Sequence, residues 1–302
     1  TSTPNSDEDQ FALIWKEANK KFDEYGNDKI VGTNGFYAMK AHWSEHPERD
    51  EEWAQTERAR IGEERFRREH ECEFIIFDET LINSITLAEM ESTVPIEKTG
   101  QVRWFKRPTP GMTYMVSLDP AMGTGGDFAA IQVFELPTFD QVAEWQHNTT
   151  PMNQQVRILQ GITKYIHDAI MEKDVTASPQ IFYSMENNTI GEAALMRVMD
   201  IGEENILGMF LSEPIRKGHR RKFRRGFNTT AKFKIDACTK FKELVESGKM
   251  KICSQLLISE LKDFVATGMS FKGKPGQHDD LVSSCLLMTR MMKVLADFDP
   301  KI

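Results

Sequence analysis

MTYMVSLDPAMGTGGDFAAIQVFEL, residues 112–136, decides the fold. An apolar, β-prone run over residues 112–118 ends on an acid, Asp119. A loop follows from Pro120, then a second acid, Asp127, and a second β-prone run over residues 128–136. Two such runs joined by a short glycine-rich loop predict an antiparallel hairpin. The glycines do not make a phosphate cradle. Such a loop leads into a helix N-terminus, and this one leads into another strand. Asp119 is therefore expected at the exit of a central, buried strand, where a carboxylate is costly unless a cation meets it.

Toward the C-terminus, residues 141–147 read as a third strand. Residues 180–186 read as a fourth that again closes on an acid, Glu186. Residues 153–171 carry a helical stripe of Val156, Leu159, Ile162, Ile166 and Ile170. Further helices are predicted over 191–199, over 230–247 with Thr229 or Thr230 as cap, over 256–265, and from Asp279 to about residue 295. Short strands are predicted at 206–211, 250–253 and 269–271. Upstream, residues 11–22 and 43–66 have helical spacing, 26–35 read as loop, 72–77 as a strand and 78–100 as a connector. Strands followed by alternating helices and strands predict an α/β fold, a mixed sheet with helices on its faces.

The 302 residues suffice for one large domain or two smaller ones. The net charge of −8 falls entirely within residues 1–110, and residues 111–302 balance. Four scattered cysteines form no CxxC pair, which fits a reduced compartment and not a disulfide or zinc framework. No apolar run reaches membrane-spanning length and no leader pattern opens the chain, so a soluble, intracellular protein is expected.

Three acidic positions share one topological feature. Asp119 and Glu186 close strands, and Asp279-Asp280 opens the last helix after GKPGQH. In an α/β sheet such strand ends and helix starts meet on one edge, where ligands bind. Each acid alone has a plain structural role: turn residue, solvated strand end or helix cap. Together they would repel one another unless divalent cations joined them. Oxygen-only donors point to Mg²⁺ or Mn²⁺, two ions in a phosphoryl-transfer site. Asp280 lies on the flank of the helix's core stripe (Leu281, Cys285, Met288, Met292) and Asp279 points nearly opposite. That favours Asp280 as the third acid and leaves Asp279 open. Asp127 reads as a loop acid beside the group, and His278 as a hydrogen-bonding residue at the helix entry.

Residues 215–225, IRKGHRRKFRR, place Arg216, Lys217, Arg220, Arg221, Lys222, Arg224 and Arg225 within ten positions. Such density reads as a footprint for a phosphate backbone, with no base-reading motif beside it. With the acids, it leaves a glycoside hydrolase as the weaker enzyme reading.

SLDPAMGTGGDF, YSMENN and HDDLVSSCLL resemble the three acidic motifs of the C-terminal nuclease in the large terminase subunit of T-even-like tailed bacteriophages, the DNA-packaging motor protein. The resemblance covers nearly the whole chain. It implies an RNase H-like, metal-dependent endonuclease that cuts concatemeric double-stranded DNA with little sequence specificity. Asp119, Glu186 and Asp280 or Asp279 would be the catalytic acids, and Asp127 a further metal contact. Ser283 departs from the pattern, standing where many members carry another acid. Residues 1–80 resemble the tail of the ATPase domain and a connector, with 81–302 the nuclease domain. No GxxxxGK[ST] occurs, so ATP binding is not expected. Implied partners are the portal protein, the small terminase subunit and the rest of the ATPase domain. The implied place is the host cytoplasm, at the portal vertex of the prohead. The alternative is a non-catalytic DNA-gripping module of the motor.

Overall fold

The computed structural model describes residues 10–19, 30–72, 80–214, 225–268 and 270–298. The chain divides into two compact units, Thr1–Glu89 and Met90–Ile302. Among the described residues, no helix is long and apolar enough to cross a membrane.

The first unit is mainly helical, as expected. It holds α1 (Gln10–Ala18), a 3₁₀ turn (Trp43–Glu45), α2 (Glu51–Ile61), α3 (Glu63–Glu69) and α4 (Ser84–Glu89). Residues 43–66 read as one charged helix, and the structure breaks that stretch twice. Past Pro47, Asp50 starts α2 by accepting the Trp53 N–H at 2.8 Å. Gly62, at φ 85°, separates α2 from α3 in a backbone conformation that a β-carbon resists. The small core is Trp43, Ala54 and Phe66, with Trp53 and Ile61 against it. The expected strand at 72–77 falls almost wholly outside the described residues. So do the end of the first expected helix and the start of the 26–35 loop.

The second unit is α/β. In chain order it runs β1 (Glu97–Thr99), β2 (Val102–Trp104), β3 (Thr113–Asp119), β4 (Ala129–Leu136), β5 (Asp140–His147), α5 (Met152–Lys173), β6 (Gln180–Met185), α6 (Thr189–Ile201), β7 (Met209–Phe210), α7 (Ala231–Glu246), α8 (Gln255–Asp263), β8 (Phe264–Thr267), β9 (Ser270–Gly273) and α9 (Asp280–Phe298). Seven strands form one mixed sheet in the order β1-β2-β5-β4-β3-β6-β7. The predicted hairpin is present: β3 pairs antiparallel with β4, from Thr113 opposite Leu136 to Asp119 opposite Ala130. On its other side β3 pairs in parallel with β6, and Leu118 stands opposite Met185.

Alternation along β3 assigns the helices to faces. Tyr114, Val116 and Leu118 join the core formed with Val156, Leu159, Ile162 and Ile166 of α5 and Ala194 and Val198 of α6. Ser117 points to the opposite face, against α9. Its hydroxyl donates to the Ser284 carbonyl at 2.8 Å, and the Ser284 hydroxyl donates to the Ser117 carbonyl at 3.0 Å. Two small, fully buried side chains let helix and strand approach closely, and each satisfies the other's backbone. This cross-tie fixes the start of α9 relative to the end of β3.

Several sequence expectations need correction. Residues 97–99 and 102–104 are strands, although part of that stretch read as connector. Glu-Lys-Thr lacks apolar alternation because β1 is an exposed edge strand, where charge is favoured. Residues 250–253 make one bridge, Lys251 to Asp140, and no strand. There the Cys253 and Ser254 N–H groups donate to the Gln141 side-chain oxygen, at 2.8 and 2.9 Å, instead of to a neighbouring strand. The 206–211 strand shrinks to Met209–Phe210, and residues 264–265, read as helix, begin a hairpin with β9.

Candidate active site

Parallel pairing of β3 and β6 brings the first two acids together. The ladder ends with the Glu186 N–H donating to the Leu118 carbonyl at 3.1 Å, so Asp119 and Glu186 leave adjacent strands side by side. They line one cavity of about 150 Å³ with Thr229, Lys234, Ala237, Ser283, Leu286, Leu287 and Arg290. Burial, followed by repulsion from Glu186, Asp280 and Asp279, pushes the Asp119 carboxyl well above the usual range. The site concentrates negative charge faster than solvent can screen it.

Glu186 is held from behind. Asn187 donates its N–H to the Phe227 carbonyl at 2.7 Å and its side-chain amide to the Arg225 carbonyl at 2.7 Å. Asn188 caps α6 by accepting the Gly191 N–H at 2.8 Å. The segment at Phe227 bridges Glu186 in parallel, so the C-terminal end of the basic run is stitched beside this acid.

Asp280 takes the Phe128 N–H at 3.3 Å, which ties the loop between β3 and β4 to the start of α9. Burial pushes its carboxyl up to about 6, with Asp279 and Asp127 adding repulsion and the Phe128 N–H opposing it. His278 stands with Nδ1 3.5 Å from Asp280 Oδ2 and its ring edge-on to Phe128. Asp279 turns elsewhere: it accepts the Gly273 N–H at 3.0 Å and lies 4.0 Å from Lys234 Nζ. Asp127 is exposed in the loop, close enough to Asp280 to raise it. The two aspartates opening α9 are thus separated by direction, and both act electrostatically on Asp119. As the side chains stand, no three His, Cys, Asp or Glu groups among the described residues are close enough to enclose a metal ion.

Of the basic run, Arg216, Lys217, Arg220, Arg221, Lys222 and Arg224 lie outside the described residues. Arg225 pairs with Glu203 and lies 5.1 Å over the Phe210 ring.

Sequence reading missed three charged residues near the acids. Glu260 of α8 is buried and accepts the Val282 N–H at 3.1 Å and the Gln146 amide at 2.7 Å, closing the first turn of α9. Burial pushes it up to about 8. Arg290 and Lys234 supply the positive wall of the cavity. A charged residue breaking an otherwise apolar helix was the available signal for Arg290. For Lys234, inside an amphipathic helix, there was none.

Residues 116–291, more than half of the chain, match the family model described as Terminase RNaseH-like domain. Among solved structures, the chain is similar to the large terminase nuclease of thermophilic phage G20c, at 15% identity and TM-score 0.52. The match covers 70% of this chain and 98% of that one. The same nuclease with bound magnesium matches at 15% identity and TM-score 0.51, over 71% and 97% of the two chains. The form with bound cobalt gives the same values, 15%, 0.51, 71% and 97%. At that identity, the likeness to these structures is one of fold.

Proposed function

The chain belongs to the terminase RNaseH-like domain family, and from that membership we propose that it is the nuclease of a viral DNA-packaging terminase, hydrolysing phosphodiester bonds of double-stranded DNA with divalent cations. The carrying observation is Asp119 beside Glu186 at the ends of parallel strands, with Asp280 fixed by the loop that follows Asp119. The donor chemistry fits Mg²⁺ or Mn²⁺: every candidate donor is a carboxylate oxygen, and Mg²⁺ binds through one or two carboxylates while keeping several waters. Such ions need no dry cage of three protein groups. Asp119 and Glu186 would share them, with Asp280, and Asp279 and Asp127 more distantly, completing the negative field.

Two such ions, when bound, supply a Lewis acid and a lowered pKa for the attacking water. The chain's own part is geometric. Rigid strand ends hold the two acids at a fixed spacing, the Ser117–Ser284 tie sets α9 against them, and the cavity limits the approach to the phosphodiester. The basic run would hold the backbone without reading bases, which supports cutting with little sequence preference. Residues 1–80 we read as the end of an ATPase domain with its connector, and the portal and small terminase subunit as the partners of the whole motor.

Supercoiled plasmid incubated with Mg²⁺ or Mn²⁺ is expected to be nicked and linearised, and to stay intact in EDTA. Undiminished digestion in EDTA would refute the metal-dependent reading.

The raised acids give a pH signature. For Asp280 the folded value of about 6 lies above the ordinary carboxylate value of 3.8. The native state therefore holds its proton longer than the unfolded chain does. In EDTA, this group's contribution to stability falls as pH rises from about 4 through about 6. Metal needs the deprotonated acid, so metal affinity must rise over the same window. The melting-temperature gain on adding Mg²⁺ is expected to be larger at pH 7.5 than at pH 5. An equal gain at both would separate Asp280 from metal binding.

A further inference from the structure

The cavity beside Asp119 and Glu186 has two cations on its wall, and their surroundings differ. Arg290 is committed. It pairs with Glu213, donates to Thr229 Oγ1 at 3.1 Å and to the Asn228 carbonyl at 3.1 Å, and lies over the rings of Phe227 and Phe233 at 5.2 and 5.0 Å. Its role is to fasten the chain on either side of the basic run. Lys234, in the first turn of α7, is poised differently. Among the described residues its ammonium has one carboxylate within ion-pair range, Asp279 Oδ2 at 4.0 Å, and one ring, Phe264, at 5.4 Å. Neither contact is a hydrogen bond. A lysine ammonium carries three donors, more than these two contacts engage.

We propose that Lys234 is a substrate-binding residue of this site, donating to a non-bridging oxygen of the phosphodiester held between it and the Asp119–Glu186 pair. The inference rests on the nuclease reading above. The acids cannot take the phosphate directly, since like charges repel. A cation lining the same cavity gives the phosphate a side to lean on, and neutralises charge that builds on its oxygens during displacement. Asp279, at the edge of ion-pair range, keeps the lysine in the cavity without consuming its donors.

Lys234→Met and Lys234→Arg, made in the full chain, test this. One charge-assisted hydrogen bond corresponds to about a tenfold loss or somewhat more. Lys234→Met is expected to lower plasmid cutting at saturating DNA about tenfold, and Lys234→Arg to recover most of it. DNA affinity across a salt series, measured with Ca²⁺, reads the phosphate contact separately. Its log–log slope should flatten by about 0.9 in Lys234→Met and return in Lys234→Arg. A structural role would not give charge-specific rescue in both measurements. Unchanged cutting by Lys234→Met while wild type cuts and Asp119→Asn does not would overturn the lysine alone. If wild type does not cut with Mg²⁺ or Mn²⁺, the nuclease reading falls. The salt slope then decides: an unchanged slope overturns the phosphate contact, and a flattened one keeps it.

Discussion

Asp119→Asn is expected to abolish metal-dependent plasmid cutting, by a factor on the order of 10⁴ or more, and to raise the melting temperature in EDTA. Both effects come from one carboxylate. Asp119 is forced against Glu186 by the parallel ladder and feels Asp280 and Asp279 as well, so its ionised form strains the metal-free fold. Its folded value is raised, so ionisation above the unfolded value weakens the native state. Asparagine keeps the shape and removes the charge. The metal-induced gain in melting temperature should shrink in parallel, because bound metal stabilises only the state that binds it. Activity lost with stability gained is a pattern that damage to the fold cannot produce. A lower melting temperature in EDTA would mean that the carboxylate serves the fold. A gripping module with vestigial acids would show no cutting in wild type and unchanged DNA affinity in the variant.

How much of this was legible in the sequence varies with the range of the interaction. The hairpin was legible because two apolar, β-prone runs flank a glycine-rich loop, and pairing between neighbours in sequence leaves a local mark. Glu186 was legible because IFYSME ends on its acid. Its place on the same sheet edge as Asp119 was expected of strand ends in an α/β sheet, and the direct pairing of β3 with β6 is what the structure adds. The Asp279–Asp280 choice was only half legible. Helical phase separates the two directions, but which one meets the β3–β4 loop depends on the Phe128 N–H, 152 residues away. Nothing local marks the Ser117–Ser284 tie, since buried serines read as ordinary breaks in apolar runs. Lys234 and Arg290 were hidden for the same reason. Lys234 sits in an amphipathic helix whose own pattern accounts for it, Arg290 shows only as a charge in an apolar helix, and it is packing that carries both into the cavity. The edge strand β1 failed differently: exposure removed the alternation that identifies strands.

Gly191→Ala is the second large expected effect, and its sign runs against helix propensity. In an exposed helix, glycine to alanine stabilises by roughly 0.5–1 kcal/mol, because the unfolded chain loses freedom. Gly161, exposed in α5, has nothing within 4 Å of an added β-carbon, and should show that gain with cutting unchanged. At Gly191 the added carbon would stand 1.8 Å from the Glu186 carbonyl oxygen and 2.8 Å from its carbon. Neither atom is the end of a flexible side chain. The carbonyl belongs to the residue whose N–H closes the ladder with Leu118, and Asn188 pins the same turn through the Gly191 N–H. Something rigid must move, at a cost of about 1–3 kcal/mol, which exceeds the propensity gain. The movement falls on Glu186. A displacement near 1 Å in a site built on fixed spacing costs about 100-fold in rate. Gly191→Ala should therefore lower the melting temperature moderately and cutting about 100-fold, while the salt dependence of DNA binding stays that of wild type. Cutting at the wild-type rate would show that α6 can slide without carrying Glu186, and that the close approach at Gly191 does not set the position of the acid.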